Sequence, residues 1–286
     1  MDAHQCIEHQ RLALVRPFIT LTTDFGLSDP YVASLKGSIY SINPDASVID
    51  VSHDVRPQRI EQAVFVLEYA LPYLPKNSIH VLVVDPHVGT DRRAIALTTP
   101  NGTFVGPDNG LLSPALPENV RNTVSEATTP VALPPQYSAH LLTNDAYHRE
   151  HVSATFHGRD VFAPVAAHLS LGVSVQEMGP PVSEVIAFPP FRAEVAKDAS
   201  LLGRVVHVDR YGNLITNIRG EQLDARDGSI EVAGHTIKRL SRTYADAEGL
   251  TAVIASTGYL AIVVVNGNAA SELHLDIGAT IRVVPA

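Results

Sequence analysis

Three short stretches gather side chains able to do polar chemistry. The first, Asp85-Pro86-His87-Val88-Gly89-Thr90-Asp91-Arg92-Arg93, leaves an apolar run with a carboxylate at its start and a guanidinium seven residues later, so an acid and a cation can meet there. Taken alone, it equally suits a strand-end Asp capping a turn and an Arg on the surface. The second, Ser153-Ala154-Thr155-Phe156-His157-Gly158-Arg159-Asp160, places an imidazole and several polar groups just ahead of a helical pattern. Such a position suits a functional His, or a merely structural one. The third, Val208-Asp209-Arg210-Tyr211-Gly212-Asn213, could stack Tyr211 on a flat ring and hold an ammonium with Asp209, or be an ordinary hairpin turn.

These stretches need elements to position them. Residues 18–23 are apolar and β-branched and run into Asp24-Phe25-Gly26, after which Tyr31, Leu35, Ile39 and Ile42 recur at helical spacing. A second strand over residues 47–51 and a helix carrying Ile60, Val64, Leu67, Leu71 and Leu74, closed by Pro75, follow. Residues 78–84 give a third strand. Alternating strand and helix predicts an α/β N-terminal domain, a mostly parallel sheet flanked by helices, with ligands outside the carboxyl ends of the strands. Asp24 and Asp85 fall at two such ends. Residues 94–98 and 103–106 predict a hairpin around Pro100-Asn101-Gly102, and residues 160–171 the last helix of this half. The Pro-rich segment 178–191 predicts an extended linker between domains 18–177 and 192–286, with residues 1–17 a frayed tail. Beyond the linker, short strand-like runs separated by Gly, Asn and Asp predict an all-β, barrel-like C-terminal domain.

Composition narrows the function. A formal charge of −9 with scattered Lys and Arg argues against a nucleic-acid backbone as partner. No apolar run approaches the roughly 20 residues that span a bilayer, and the opening segment does not read as a secretion signal, so a soluble cytoplasmic protein without membrane contact is expected. The single cysteine, Cys6, makes disulfide, thiolate-metal and cysteine-nucleophile chemistry poor candidates. His148 and His151 could share a metal, but no third ligand at a defined spacing accompanies them, so no metal is expected. Phosphate-loop, dinucleotide and Gly-x-Ser-x-Gly signatures are missing from the sequence.

Together, five ordered motifs resemble one family: the S-adenosylmethionine (SAM) hydroxide adenosyltransferases, also called SAM hydrolases, relatives of the fluorinase and chlorinase enzymes. They are Thr22-Thr23-Asp24-Phe25-Gly26, the Asp85 to Arg93 loop with its preceding Val84, Gly106-Pro107-Asp108-Asn109-Gly110, Thr155-Phe156-His157-Gly158-Arg159-Asp160, and Asp209-x-Tyr211-Gly212-Asn213. The resemblance implies SAM as substrate, no cofactor, and a homotrimer with sites at subunit interfaces. By motif position it assigns Asp85, Arg92 and His157 to the attacking water. It further implies that Asp24 binds the ribose hydroxyls, with Thr155 and Phe156 beside the substrate. Asp209 and Ser256 or Thr257 would hold the methionine end, Tyr211 and Asn213 would lie near the adenine, and residues 266–270, Asn266 and Ala269 among them, would offer backbone contacts. One departure from the family pattern is His87, where a Gly usually follows Asp-Pro.

The chemistry agrees with these residue types. Cleaving ribose C5′ from a sulfonium releases a neutral thioether, which needs no general acid. Water, a poor nucleophile at saturated carbon, must be held in line and relieved of a proton. Arg92 can stabilise developing hydroxide, and either Asp85 or His157 can act as base. A halide has no proton to lose, and the extra loop that halogenating members carry after the Arg93 position is absent from this sequence, so hydrolysis is expected over 5′-halogenation. A SAM sensor without turnover and a structural trimer are the readings from other classes.

Overall fold

The computed structural model describes residues 17–125, 128–223, 228–238 and 240–285. The expected tail, Cys6 included, lies outside the described residues apart from Pro17. The chain divides into two compact units between Pro189 and Pro190.

The first unit is built on a seven-stranded sheet ordered β2-β1-β3-β5-β4-β7-β8, from β1 (Ile19–Thr23), β2 (Val48–Ser52), β3 (Ser78–Val83), β4 (Ala94–Thr99), β5 (Gly102–Pro107), β7 (Ser138–Leu141) and β8 (Pro181–Val182); β6 (Thr129–Ala132) pairs separately with β9 (Glu184–Ala187). Pairings among β2, β1, β3 and β5 are parallel and the remainder antiparallel. Period-two alternation sends the side chains of the buried strands to two cores. Ile19, Leu21, Val81, Val83 and Val105 pack with Leu35 and Ile39 of helix α1 (Tyr31–Ile42). Leu82, Ile95, Leu97 and Phe104 pack on the other face with Ala63 and Leu67 of helix α2 (Ile60–Ala70).

The crossover through α1 carries the chain from β1 to β2 on one side of β1, and the crossover through α2 returns it to β3 on the other. Strand order therefore reverses between β1 and β3, which is where open α/β sheets leave a crevice at the carboxyl ends. Asp24 directly follows β1, and Asp85 lies two residues beyond β3.

Two expectations are corrected. The segment 178–191 is not a free linker: β8 and β9 lie within it, Val185 and Ala187 are buried, and Arg121 donates to the carbonyls of Phe188 and Pro189. Prolines mislead there because an edge strand tolerates a missing N–H. The last helix is also not uniform. A wide π-turn (Gly158–Phe162) feeds α4 (Ala163–Ser170), the one-turn helix Glu118–Arg121 being α3. Pro164 has no N–H to give to Asp160 O, and that carbonyl accepts Arg149 N–H instead, at 2.9 Å.

The second unit is an antiparallel sheet ordered β14-β13-β17-β11-β12-β16-β15, from β11 (Leu201–Val208), β12 (Leu214–Arg219), β13 (Ser229–Val232), β14 (His235–Ile237), β15 (Leu250–Ile254), β16 (Tyr259–Val264) and β17 (Thr280–Val284), with β10 (Glu194–Val195) added on β11. β14 comes back near β15, so the sheet nearly closes into a barrel around Leu201, Val205, Leu214, Ile218, Leu260, Ile262 and Ile281. A five-residue helix α5 (Ala269–Leu273) follows β16, capped by Asn268, whose Oδ1 accepts Ser271 N–H at 2.8 Å.

Candidate active site

In the first unit Asp85, Arg92 and His157 form one hydrogen-bonded cluster. Arg92 Nε donates to both Asp85 oxygens, at 3.1 and 2.9 Å, and Nη2 donates to Asp85 Oδ2 at 2.5 Å and to His157 Nδ1 at 2.8 Å. The two ion-paired side chains are nearly buried, 9% and 5% exposed, and the guanidinium carbon lies 5.4 Å from the centre of the Phe162 ring. Arginine has no acceptor, so His157 Nδ1 must accept, and the neutral ring then carries its proton on Nε2. Burial, and after it the Arg92 charge, pushes the His157 imidazole below its ordinary value.

Close packing of two loops builds the cluster. Gly89 sits at φ +80°, and a Cβ there would lie 2.3 Å from Ala154 O, so the loop holding Arg92 touches the loop holding His157. A Cβ on buried Gly158 would lie 3.1 Å from Val83 Cγ1, bringing the start of the π-turn against the end of β3. Asp160, fully buried, accepts from Ser153 N, Arg159 Nε and Arg159 Nη2, which fixes residues 153–160. Asn109 donates to Val84 O at 3.0 Å, pinning the backbone just before Asp85. Buried Asp108 accepts from Ile186 N and pairs with Arg93 at 2.5 Å. The Asp108-Asn109-Gly110 motif is thus a brace for the Asp85 strand end.

Asp24 joins this edge. Its Oδ2 accepts the N–H of Gln58 at 2.8 Å; Gln58 holds the left-handed φ of +65°, an uncommon conformation for a residue with a side chain. Burial raises the Asp24 carboxyl above its ordinary value, and the Asp85 charge adds to that. Phe25, Tyr31 and Phe156 form an aromatic trio with centroids 5.4 to 5.7 Å apart, beside Thr155, which is exposed. His87 is also exposed, and its carbonyl, available from any residue, closes the turn by accepting Thr90 N and Oγ1.

The second unit holds the remaining expected residues, in two places. Asp209 Oδ1 accepts Tyr211 N and Asn213 N, both at 2.9 Å, and Oδ2 accepts Asn213 Nδ2 at 2.8 Å, so its carboxylate first organises its own turn. Tyr211 is 77% exposed. Ala270 N donates to Gly212 O at 3.0 Å, which sets this turn against Ala269, the first residue of α5, close to Asn266. Ser256 and Thr257 sit elsewhere, at the tip of the β15–β16 hairpin, where Gly258 O accepts Gly220 N. That is the opposite end of β12 from the Asp209 turn.

Reading by motif did not single out Gln58 or His53, because Gln58 contributes a backbone N–H to Asp24 and His53 meets Thr23 only through the pairing of β1 with β2, thirty positions apart in sequence. Among the described residues no group of three His, Cys, Asp or Glu side chains is placed to hold a metal ion. No helix among them is long and apolar enough to cross a membrane.

A doubly wound sheet with a carboxylate–guanidinium–imidazole cluster at its switch point, followed by a small β-barrel, defines a two-unit α/β-plus-barrel protein. The chain belongs to the SAM hydroxide adenosyltransferase family: the family's N-terminal domain matches residues 19–179 and its C-terminal domain residues 203–282. It is 41% identical to the (R)-S-adenosyl-L-methionine hydrolase of Salinispora arenicola, over 93% of this chain and 97% of that one. Identity to the fluorinase of Nocardia brasiliensis is 26%, over 94% and 97% of the two chains. A conserved protein from Thermotoga maritima, known from its crystal structure, superposes with a TM-score of 0.79 at 31% identity, covering 93% of this chain and all of that one.

Proposed function

We propose that this chain hydrolyses S-adenosyl-L-methionine to adenosine and L-methionine, acting on the (R) sulfonium epimer for which its hydrolase relative is named. The observation that carries this reading is Arg92 shared between Asp85 and His157 at hydrogen-bond distance. In the step, a water oxygen bonds to ribose C5′, the C5′–S bond breaks, and its electron pair goes to sulfur, leaving a neutral thioether. One proton is released overall. While Arg92 occupies His157 Nδ1, the Nε2–H of that ring can only donate, which suits it to orient the water. Asp85 is then the group with lone pairs left to take the proton, and Arg92 stabilises the negative charge developing on oxygen.

Asp24 holds the ribose hydroxyls in this reading, and Thr155 and Phe156 line the sugar. Asp209 with Ser256 or Thr257 takes the methionine end, Tyr211 and Asn213 the adenine, and the backbone at Asn266 and Ala269 completes the set. The support for these second-unit roles is motif position. No metal or cofactor takes part, the assembly is a homotrimer with shared sites, and the enzyme is cytoplasmic.

The test is chromatography of purified protein incubated with (R)- and (S)-SAM, with and without halide and a chelator, beside Arg92→Lys and His157→Ala. Adenosine and methionine should form in chelator without halide, and each variant should lose at least about a hundredfold in kcat. Formation of 5′-halo-adenosine would make the protein a halogenase, and intact SAM at saturating occupancy would make it a sensor. Light scattering should report three copies.

A further inference from the structure

Directly behind Asp24 lies a chain of polar contacts that the reaction outlined above does not use. Thr23 is fully buried, and its Oγ1 lies 2.8 Å from His53 Nδ1. The same oxygen accepts Phe25 N–H at 3.3 Å, so its own hydrogen is free for the imidazole. Nε2 faces the acceptor-only Asp50 carboxylate, so a neutral His53 ring carries its proton there and Nδ1 accepts from Thr23. His53 Nε2 is 3.1 Å from Asp50 Oδ1, an oblique ion-pair contact, and Asp50 Oδ2 is 2.6 Å from Lys36 Nζ. The His53 carbonyl accepts Gly26 N–H at 2.7 Å. Thus the residues on both sides of Asp24 are fastened to one residue, His53: Thr23, and through its hydroxyl Phe25, by the imidazole, and Gly26 by the His53 backbone carbonyl. The side chain of His53 is only 4% exposed, whereas Asp50 is 42% exposed at the far end.

The connectivity of hydroxyl, imidazole and carboxylate matches that of a nucleophilic triad, but Thr23 presents no surface to a substrate. We infer that Thr23, His53 and Asp50 are a positioning chain that holds the Asp24 loop in the shape that binds the ribose. This rests on the reading of Asp24 as the ribose ligand. A carboxylate taking two sugar hydroxyls must be held to within a few tenths of an ångström, and a buried hydrogen-bonded support is how such a loop is held. Because the chain acts on binding and not on the water, its loss should fall on substrate affinity.

The experiment compares full-length wild type, Thr23→Val, Thr23→Ser and Asp50→Ala by calorimetric Kd for SAM, by kcat and KM for adenosine release, and by thermal unfolding. Thr23→Val and Asp50→Ala should raise Kd and KM by about tenfold with kcat within about threefold, while Thr23→Ser, which keeps the hydroxyl, stays near wild-type affinity. Should Thr23→Val not fold, Asp50→Ala, altered at a half-exposed position, decides alone. Unchanged Kd in the folded variants overturns the inference, as does an equal loss in Thr23→Ser, which would mark simple packing. Wild type that binds SAM without releasing adenosine sinks the hydrolase reading only, since Kd still reports on the chain; wild type that does not bind SAM overturns both.

Discussion

Arg92 divides one planar fork between a carboxylate and an imidazole, and that fixes what each partner can do. Protonating His157 requires a hydrogen on Nδ1, where Arg92 Nη2 already donates at 2.8 Å. The imidazole is therefore pushed below its ordinary 6.5 by burial and by Arg92, while burial raises Asp24 above its ordinary 3.8. The working forms are neutral His157 and ionised Asp24. Lowering pH removes both, the first only below 6.5 and the second already above 3.8. A profile of kcat/KM against pH should therefore stay level through 6.5 and fall on the acid side between those two values. An acid limb centred at or above 6.5 would mean that Arg92 does not hold His157 in solution. Lysine at position 92 keeps the charge but not the fork, which is why Arg92→Lys is expected to fail as a substitute.

At the scale of elements, the site depends on the fit between the loop after β3 and the loop before the π-turn. Gly89 permits that fit twice, by its positive φ and by its missing Cβ opposite Ala154 O. Gly89→Ala must move one loop, so we expect a loss of about 1–3 kcal/mol in stability together with a fall in kcat of about a hundredfold, read by thermal unfolding and steady-state assay. If stability falls while kcat is retained, the two loops do not set the cluster geometry. Pro164 works in the same region from the other side, releasing Asp160 O to Arg149 N, while the buried Asp160 carboxylate fastens residues 153 and 159.

Across the molecule, burial sets an acid limit on the fold. His80, His140, His148, His157 and His168 are all pushed below the ordinary imidazole value, chiefly by burial, and all lie in the first unit. His80, stacked on Phe104 and bonded to Thr20, is lowered from 6.5 to about 4. Between those values the unfolded chain binds a proton that the folded chain refuses, so stability rises with pH across the window and is lost on acidification, for His80 by on the order of 3 kcal/mol. Calorimetry from pH 6.5 to 4 should show falling stability, and His80→Gln should flatten the slope. Hydrogen exchange should place the first loss of protection in the first unit. Protection that falls first in the barrel would contradict this.

Much of the architecture was legible in the residues. Long apolar periods such as Tyr31, Leu35, Ile39 and the β-branched run of β3 encode their elements locally, because each must present one face to a core. The carboxyl-end positions of Asp24 and Asp85 follow from that alternation alone. Segment 178–191 departs from what its local composition predicts because edge pairing is decided by distant partners, β6 and β7, which that composition does not contain. Likewise the sequence by itself determined which residue types are available for chemistry, and its ordered motifs determined the family. Only the tertiary structure decided that Arg92 bridges Asp85 and His157, which proton His157 carries, that Gln58 and the Thr23–His53–Asp50 chain hold Asp24, and that Ser256 lies at the far end of β12 from Asp209. The deciding contacts, Arg92–His157, Asp24–Gln58 and Thr23–His53, join residues 65, 34 and 30 positions apart. They arise when apolar burial brings strands and loops together, and no local pattern records which side chains then meet.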